Sequence, residues 1–117
     1  MTVRSLDHVV LTVRDLEATI AFYERLGMRH VTFGDDRHAL EFGDQRINLH
    51  VAGHEFEPKA AVPTPGSADL CFLVDDLDTG DIPVVIGPVE RTGAVGRMRS
   101  VYVRDPDGNL IELAVPA

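Results

Sequence analysis

The sequence predicts an α+β fold of paired βαβββ modules that form a cup-shaped mixed sheet, with the helix of the second module shortened or absent. Three observations carry this. Ala68 to Asp78 can be laid without gaps on Asp7 to Glu17, so one supersecondary unit starts twice. The segments after each start alternate at the period of a strand, while one stretch near the beginning has helical spacing. Between the two starts lies a stretch rich in proline and glycine with no period at all. The expected organisation is therefore a single domain, with module one at 1–55, a linker at 56–67 and module two at 68–117.

Module one opens with Leu6 to Val13, a strand that sets His8, Val10 and Thr12 on one face and Val9, Leu11 and Val13 on the other. Asp15 is a good N-cap, Glu17 suits the first turn, and Leu16, Ile20, Tyr23 and Leu26 make an apolar stripe that ends at Gly27. Strands follow near 29–33, 38–42 and 46–51, separated by turns at Gly34-Asp35-Asp36 and Gly43-Asp44-Gln45. In module two a strand begins at Asp69, and two more close the chain near 99–104 and 110–115. Pro106, Gly108 and Asn109 form the turn between them, and Asp105 and Asp107 can bond their own backbone two residues on. Gly87 to Arg97 is expected as a glycine-rich loop. Leu77 to Val84 leaves room for one helical turn at most. Leu70, Phe72, Val74, Ile111, Leu113 and Val115 should then lack their cover, and a homodimer or larger homo-oligomer is the expected remedy.

Composition narrows the function classes. The chain has 117 residues, 44% hydrophobic and 26% charged, which is ordinary for a soluble domain large enough to bury a core. A formal charge of -8 argues against a nucleic-acid surface, and no apolar run approaches a membrane span. The single Cys71 cannot form an internal disulfide, and no signal peptide opens the chain, so a cytoplasmic location is expected. Small molecules are the expected partners.

Chemistry gathers at the polar residues of the strand faces that look into the expected cup. Glu112 sits among apolar neighbours, where an ionised carboxylate is costly unless a cation or metal pairs with it. His8 and Asp69 begin equivalent strands, and the last strand of module one carries Asn48 and His50 on one face. A histidine with carboxylates and open positions suits a divalent ion such as Zn, Ni, Mn or Fe(II). Arg91 and Arg97 could bind a substrate carboxylate or phosphate. Packing accounts for Cys71 better than nucleophilic chemistry does, and the acidic run from Asp75 to Asp81 does not match a calcium loop.

The His8 strand followed by Val13-Arg-Asp-Leu-Glu17, the helix end Phe22-Tyr23 to Gly27-Met28, and the hairpin Asp105-Pro-Asp-Gly-Asn-Leu-Ile-Glu112 resemble the vicinal oxygen chelate superfamily of glyoxalases, bleomycin-resistance proteins and dioxygenases. Phe42 to His50, Glu55 to Ala60 and Arg91 to Ala94 look like its glyoxalase domain-containing protein 5 group. The resemblance implies a metal held by His8, by a fourth-strand residue, by Asp69 where the family often has histidine, and by Glu112. Asn48 and His50 both compete for the fourth-strand place; imidazole is the better ligand, which favours His50. The implied function is a metal-dependent lyase or isomerase of the glyoxalase type, with Glu112 as the catalytic group. The alternatives are an extradiol-type dioxygenase and a metal-free ligand-sequestering protein.

Overall fold

The computed structural model describes residues 1–117, which divide into two compact units, Met1–Pro65 and Gly66–Ala117. In the first unit β1 (His8–Val13) leads through α1 (Leu16–Arg25) to β2 (Arg29–Phe33), β3 (Arg37–Phe42) and β4 (Gln45–Val51). The sheet order is β1-β4-β3-β2, with β1 parallel to β4 and the other neighbours antiparallel. The connection carrying α1 must therefore cross the sheet from one edge to the other. Asp15 caps the helix by accepting from the Ala18 amide at 3.0 Å, and the chain leaves it through Gly27 at φ 91, where a side chain would be strained. Thr19, Phe22 and Tyr23 are its buried residues, so the expected Leu16 and Ile20 stripe lies at the margin of the contact. Leu11, Val13, Leu40, Ile47 and Leu49 are buried on one sheet face. That leaves His8, Val10 and Thr12 on the other.

The second unit has β5 (Asp69–Leu73), β6 (Ile86–Gly93), β7 (Gly96–Arg104) and β8 (Leu110–Pro116), in the order β5-β8-β7-β6 with β5 parallel to β8. It repeats the first unit without a helix, as the spacing predicted. One correction concerns β6. The expected glycine-rich loop is a strand from Ile86 to Gly93, hairpinned to β7, with its register shifting between Ile86 and Val89. Gly87 and Pro88 weaken the strand signal, but β6 is an edge, and an edge strand tolerates a proline that cannot donate to a ladder. Gly87 is required for contact: a Cβ there would stand 2.6 Å from the Ser100 carbonyl oxygen.

A second correction concerns the apolar face. Ile111 and Leu113 are buried, as are Val101 and Val103 opposite them on β7. The connection from β5 to β6 has to span the sheet, and it does so as irregular chain with a turn where the Ile82 amide donates to the Thr79 carbonyl. It is pinned at one end by the Val74 amide on the Ala114 carbonyl and at the other by the Val85 amide on the Tyr102 carbonyl. Ile82 is buried along the way. Ile111 and Leu113, expected to be bare, are therefore covered within the chain itself. No helix is long and apolar enough to cross a membrane.

Candidate functional site

The parallel pairings place the polar donors. In the first unit His8 stands opposite Arg46, Val10 opposite Asn48 and Thr12 opposite His50. A strand rises about 3.3 Å per residue, so Asn48 lies one diagonal step from His8, roughly 8 Å between Cα atoms, while His50 lies about 13 Å along the strand from the level of His8. Two imidazoles that far apart cannot hold one ion at about 2.1 Å each. In the second unit Asp69 stands opposite Leu110 and Cys71 opposite Glu112, so Asp69 and Glu112 make the same diagonal. The repeat that lays Asp69 on His8 therefore lays Glu112 on Asn48. His50, favoured from its chemistry, does not occupy the equivalent place.

The surroundings of each donor agree with this. His8 Nδ1 is 2.8 Å from the Asp7 carboxylate, so it donates there and Nε2 is the ring nitrogen left for another partner. Asn48 Oδ1 is buried with no hydrogen-bond donor, an acceptor held ready for a cation or a ligand N–H or O–H. Glu112 is half-buried and its Oε2 accepts from the Ser100 hydroxyl at 2.7 Å, Ser100 being fully buried. Cys71 neighbours it across the strand pair. Burial first and the Glu112 charge second push its thiol above the ordinary range, away from the thiolate form. Asp69 is exposed at the strand start.

His50 belongs to a different setting. It is buried, edge-on to Phe56 at 5.7 Å between ring centroids, and shares a small recess with Phe33, Arg37 and Asn48. Burial first and Arg37 second lower its pKa, so the ring is held neutral. Beside His8, Arg46 reaches over the Phe33 ring and pairs with Glu41 at 3.0 Å. Glu41 also takes Arg29, and those two guanidiniums, Arg29 first, hold its carboxyl below the usual range.

The two arginines expected to bind substrate separate. Arg91 lies on the Glu112 face of its sheet, donating from Nε to the Tyr102 hydroxyl at 3.1 Å, and Tyr102 is the direct cross-strand neighbour of Glu112. Arg97 pairs with Thr92 on the opposite face and lies 3.3 Å from the exposed Glu90, so the structure makes it a surface counter-charge. Strand parity through the hairpin turn decides between them. Asp7, Ser100, Tyr102 and Arg46 were missed from the sequence, although the same parity argument puts Ser100 and Tyr102 on the face of Glu112.

Within each unit two donors stand on one diagonal, and no group of three His, Cys, Asp or Glu side chains is arranged to hold a metal ion. His8 and Asn48 offer a neutral nitrogen and an amide oxygen; Asp69 and Glu112 offer two carboxylates. These donor types suit a divalent ion of the zinc, nickel, manganese or ferrous kind.

The Glyoxalase/Bleomycin resistance protein/Dioxygenase superfamily model matches residues 5–113. The chain is 60% identical to the glyoxalase domain-containing protein RDO1 of Mycosarcoma maydis, over 97% of this chain and 69% of that protein. It is 54% identical to the virulence protein STM3117 of Salmonella typhimurium, over 97% and 85% respectively. The crystal structure of that virulence protein superposes with a TM-score of 0.95 at 53% identity, covering all of both chains.

Proposed function

Because the chain belongs to the Glyoxalase/Bleomycin resistance protein/Dioxygenase superfamily, we propose that it is a metal-dependent enzyme of the glyoxalase type, acting on a small substrate that presents two adjacent oxygens. The observation that carries this reading is the pair of equivalent diagonals, His8 with Asn48 and Asp69 with Glu112. Each includes a donor already oriented by a neighbour, His8 by Asp7 and Glu112 by Ser100. A catalytic ion of this class takes three or more protein donors in all. When bound, the ion supplies Lewis-acid polarisation of the substrate oxygens.

The remaining work falls to the chain. Ser100 holds Oε2 of Glu112, which leaves Oε1 to take a proton from the carbon beside the polarised carbonyl and return it to the neighbouring carbon. Arg91 and Tyr102, hydrogen-bonded to each other, form the cationic flank for a substrate carboxylate. The raised thiol of Cys71 argues against a covalent route through sulfur. The enzyme works as a homodimer or larger homo-oligomer, a reading supported by the exposed apolar residues Leu73, Val84, Val85 and Ile86 of the second unit.

Protein purified without added metal is assayed for metal content and for isomerisation of the hemithioacetal formed from a 2-oxoaldehyde and a thiol. A stoichiometric divalent ion is expected, with turnover lost on chelation and in Glu112→Gln. Turnover that survives in Glu112→Gln overturns the reading. So does ring cleavage with oxygen consumption, which identifies a dioxygenase, or tight metal-free binding of a bulky ligand without turnover, which identifies a sequestering protein.

A further inference from the structure

A second pair of histidines lies in the first unit on the sheet face opposite His8. His30 on β2 and His38 on β3 are diagonal neighbours, since His30 pairs with Leu40 and Thr32 with His38. Their rings lie nearly parallel, 14° apart with centroids at 5.1 Å, and His30 Nε2 is 2.9 Å from His38 Nδ1. On its far side His38 Nε2 is 3.3 Å from the Asp36 carboxylate. Asp36 is the one residue other than glycine with positive φ, at 55°, in the turn between the two strands.

These contacts assign the hydrogens. A neutral imidazole carries one, and the Asp36 carboxylate, which can only accept, draws that of His38 to Nε2. Nδ1 of His38 is then a lone pair aimed at His30, and the hydrogen between the rings belongs to His30 Nε2. Two imidazole nitrogens face each other across one hydrogen. When His30 moves its hydrogen to Nδ1, both facing lone pairs become available. The spacing then widens from 2.9 Å to about 3.3 Å and the two rings turn so that their lone pairs converge, which matches two nitrogens at about 2.0–2.1 Å from a tetrahedral ion. A carboxylate on the remote nitrogen of a histidine ligand is the arrangement that fixes the ring and raises its basicity in metal sites. The His38 side chain is 20% exposed and that of Asp36 95%, so the outer edge of the pair borders solvent.

We propose that His30 and His38, oriented by Asp36, form a separate two-histidine site for a borderline divalent transition-metal ion, of which zinc is the representative. This site is independent of the donors on the His8 face and of the reaction proposed for them. Imidazole suits zinc, nickel and copper, whereas magnesium and calcium prefer oxygen and are not expected there.

The test uses the protein carrying His8→Ala and Glu112→Gln, which removes one donor from each of the two pairs proposed above. Zinc is titrated calorimetrically while the imidazole resonances are followed by NMR. One equivalent is expected to bind, shifting the signals of His30 and His38 and not those of His50. Adding His38→Gln or His30→Gln should weaken that equivalent at least tenfold, and Asp36→Asn about tenfold. Failure of the background variant to bind zinc, or binding unchanged by both histidine substitutions, overturns the proposal. Circular dichroism confirms that each variant is folded.

Discussion

Replacing Asn109 with alanine should cost the second unit about 3–5 kcal/mol. Asn109 is 1% exposed and sits against Asp105, itself 5% exposed. Its Nδ2 donates to Asp105 Oδ2 at 2.7 Å, and its Oδ1 accepts from the Ala68 amide at 2.8 Å, tying the start of β5 to the turn before β8. The backbone bond from the Asn109 amide to Asp105 Oδ1 survives the substitution. The bond to a carboxylate is worth about 1.5–3 kcal/mol, and leaving the Ala68 amide without a partner costs about 1–3 kcal/mol. Together they are a large share of the roughly 5–15 kcal/mol that holds a domain of this size. Asn109→Asp keeps an acceptor for Ala68 but sets a second carboxylate against Asp105, so its defect should be greater at neutral pH than in mild acid. Urea titration by circular dichroism gives the magnitude, and exchange of the Ala68 amide reports the contact itself. A loss under about 1 kcal/mol, or unchanged protection of Ala68, would refute the reasoning.

Three other outcomes are expected. Asn48→Ala should weaken divalent-ion binding at least tenfold while His50→Ala leaves it nearly unchanged; the reverse result would restore His50 as the ligand and contradict the register. His50 has a folded-state pKa below the ordinary imidazole value of about 6.5, mainly through burial and then Arg37. Stability from its neutral form is therefore complete above about 6.5 and is lost as pH falls toward the folded value. His50→Gln should flatten stability between pH 6.5 and 5, and an unchanged slope there would remove His50 as the cause. Sedimentation at low micromolar concentration should show a dimer or larger species that Ile86→Asp dissociates, whereas a folded wild-type monomer would exclude the assembly.

Much of this architecture was legible in the sequence because its signals are local. Strand alternation located β2 to the residue, and Asp15 and Gly27 marked the helix ends. What stayed hidden depended on pairing. β6 was obscured because Gly87 and Pro88 lower strand propensity, and only the sheet order reveals that they lie on an edge. The fourth-strand donor was judged by the affinity of imidazole over amide, while the parallel register between β1 and β4 decides by distance. The repeat alone does not settle that register, because the spacing between first and last strands differs between the two units; the pairings of β1 with β4 and of β5 with β8 are needed. The burial of Ile111 and Leu113 could not be foreseen either, because the connection from β5 to β6 is irregular and no period in the sequence announces its path.

The position of β1 and β5 in their sheets has a kinetic consequence. Each is an edge strand held to its unit by one parallel partner, and each joins that partner across a separation of about forty residues. Closing so long a loop is entropically slower than zipping the hairpins β2–β3–β4 and β6–β7–β8, so these two strands dock last as the chain folds. In the native state they are the strands placed to detach by local opening without disturbing the hairpins. His8 and Asp69 ride on them, so an ion that bridges His8 to Asn48 or Asp69 to Glu112 would clamp each late-arriving strand to its neighbour. Amide exchange in β1 and β5 should then slow on metal binding while the hairpin amides barely change.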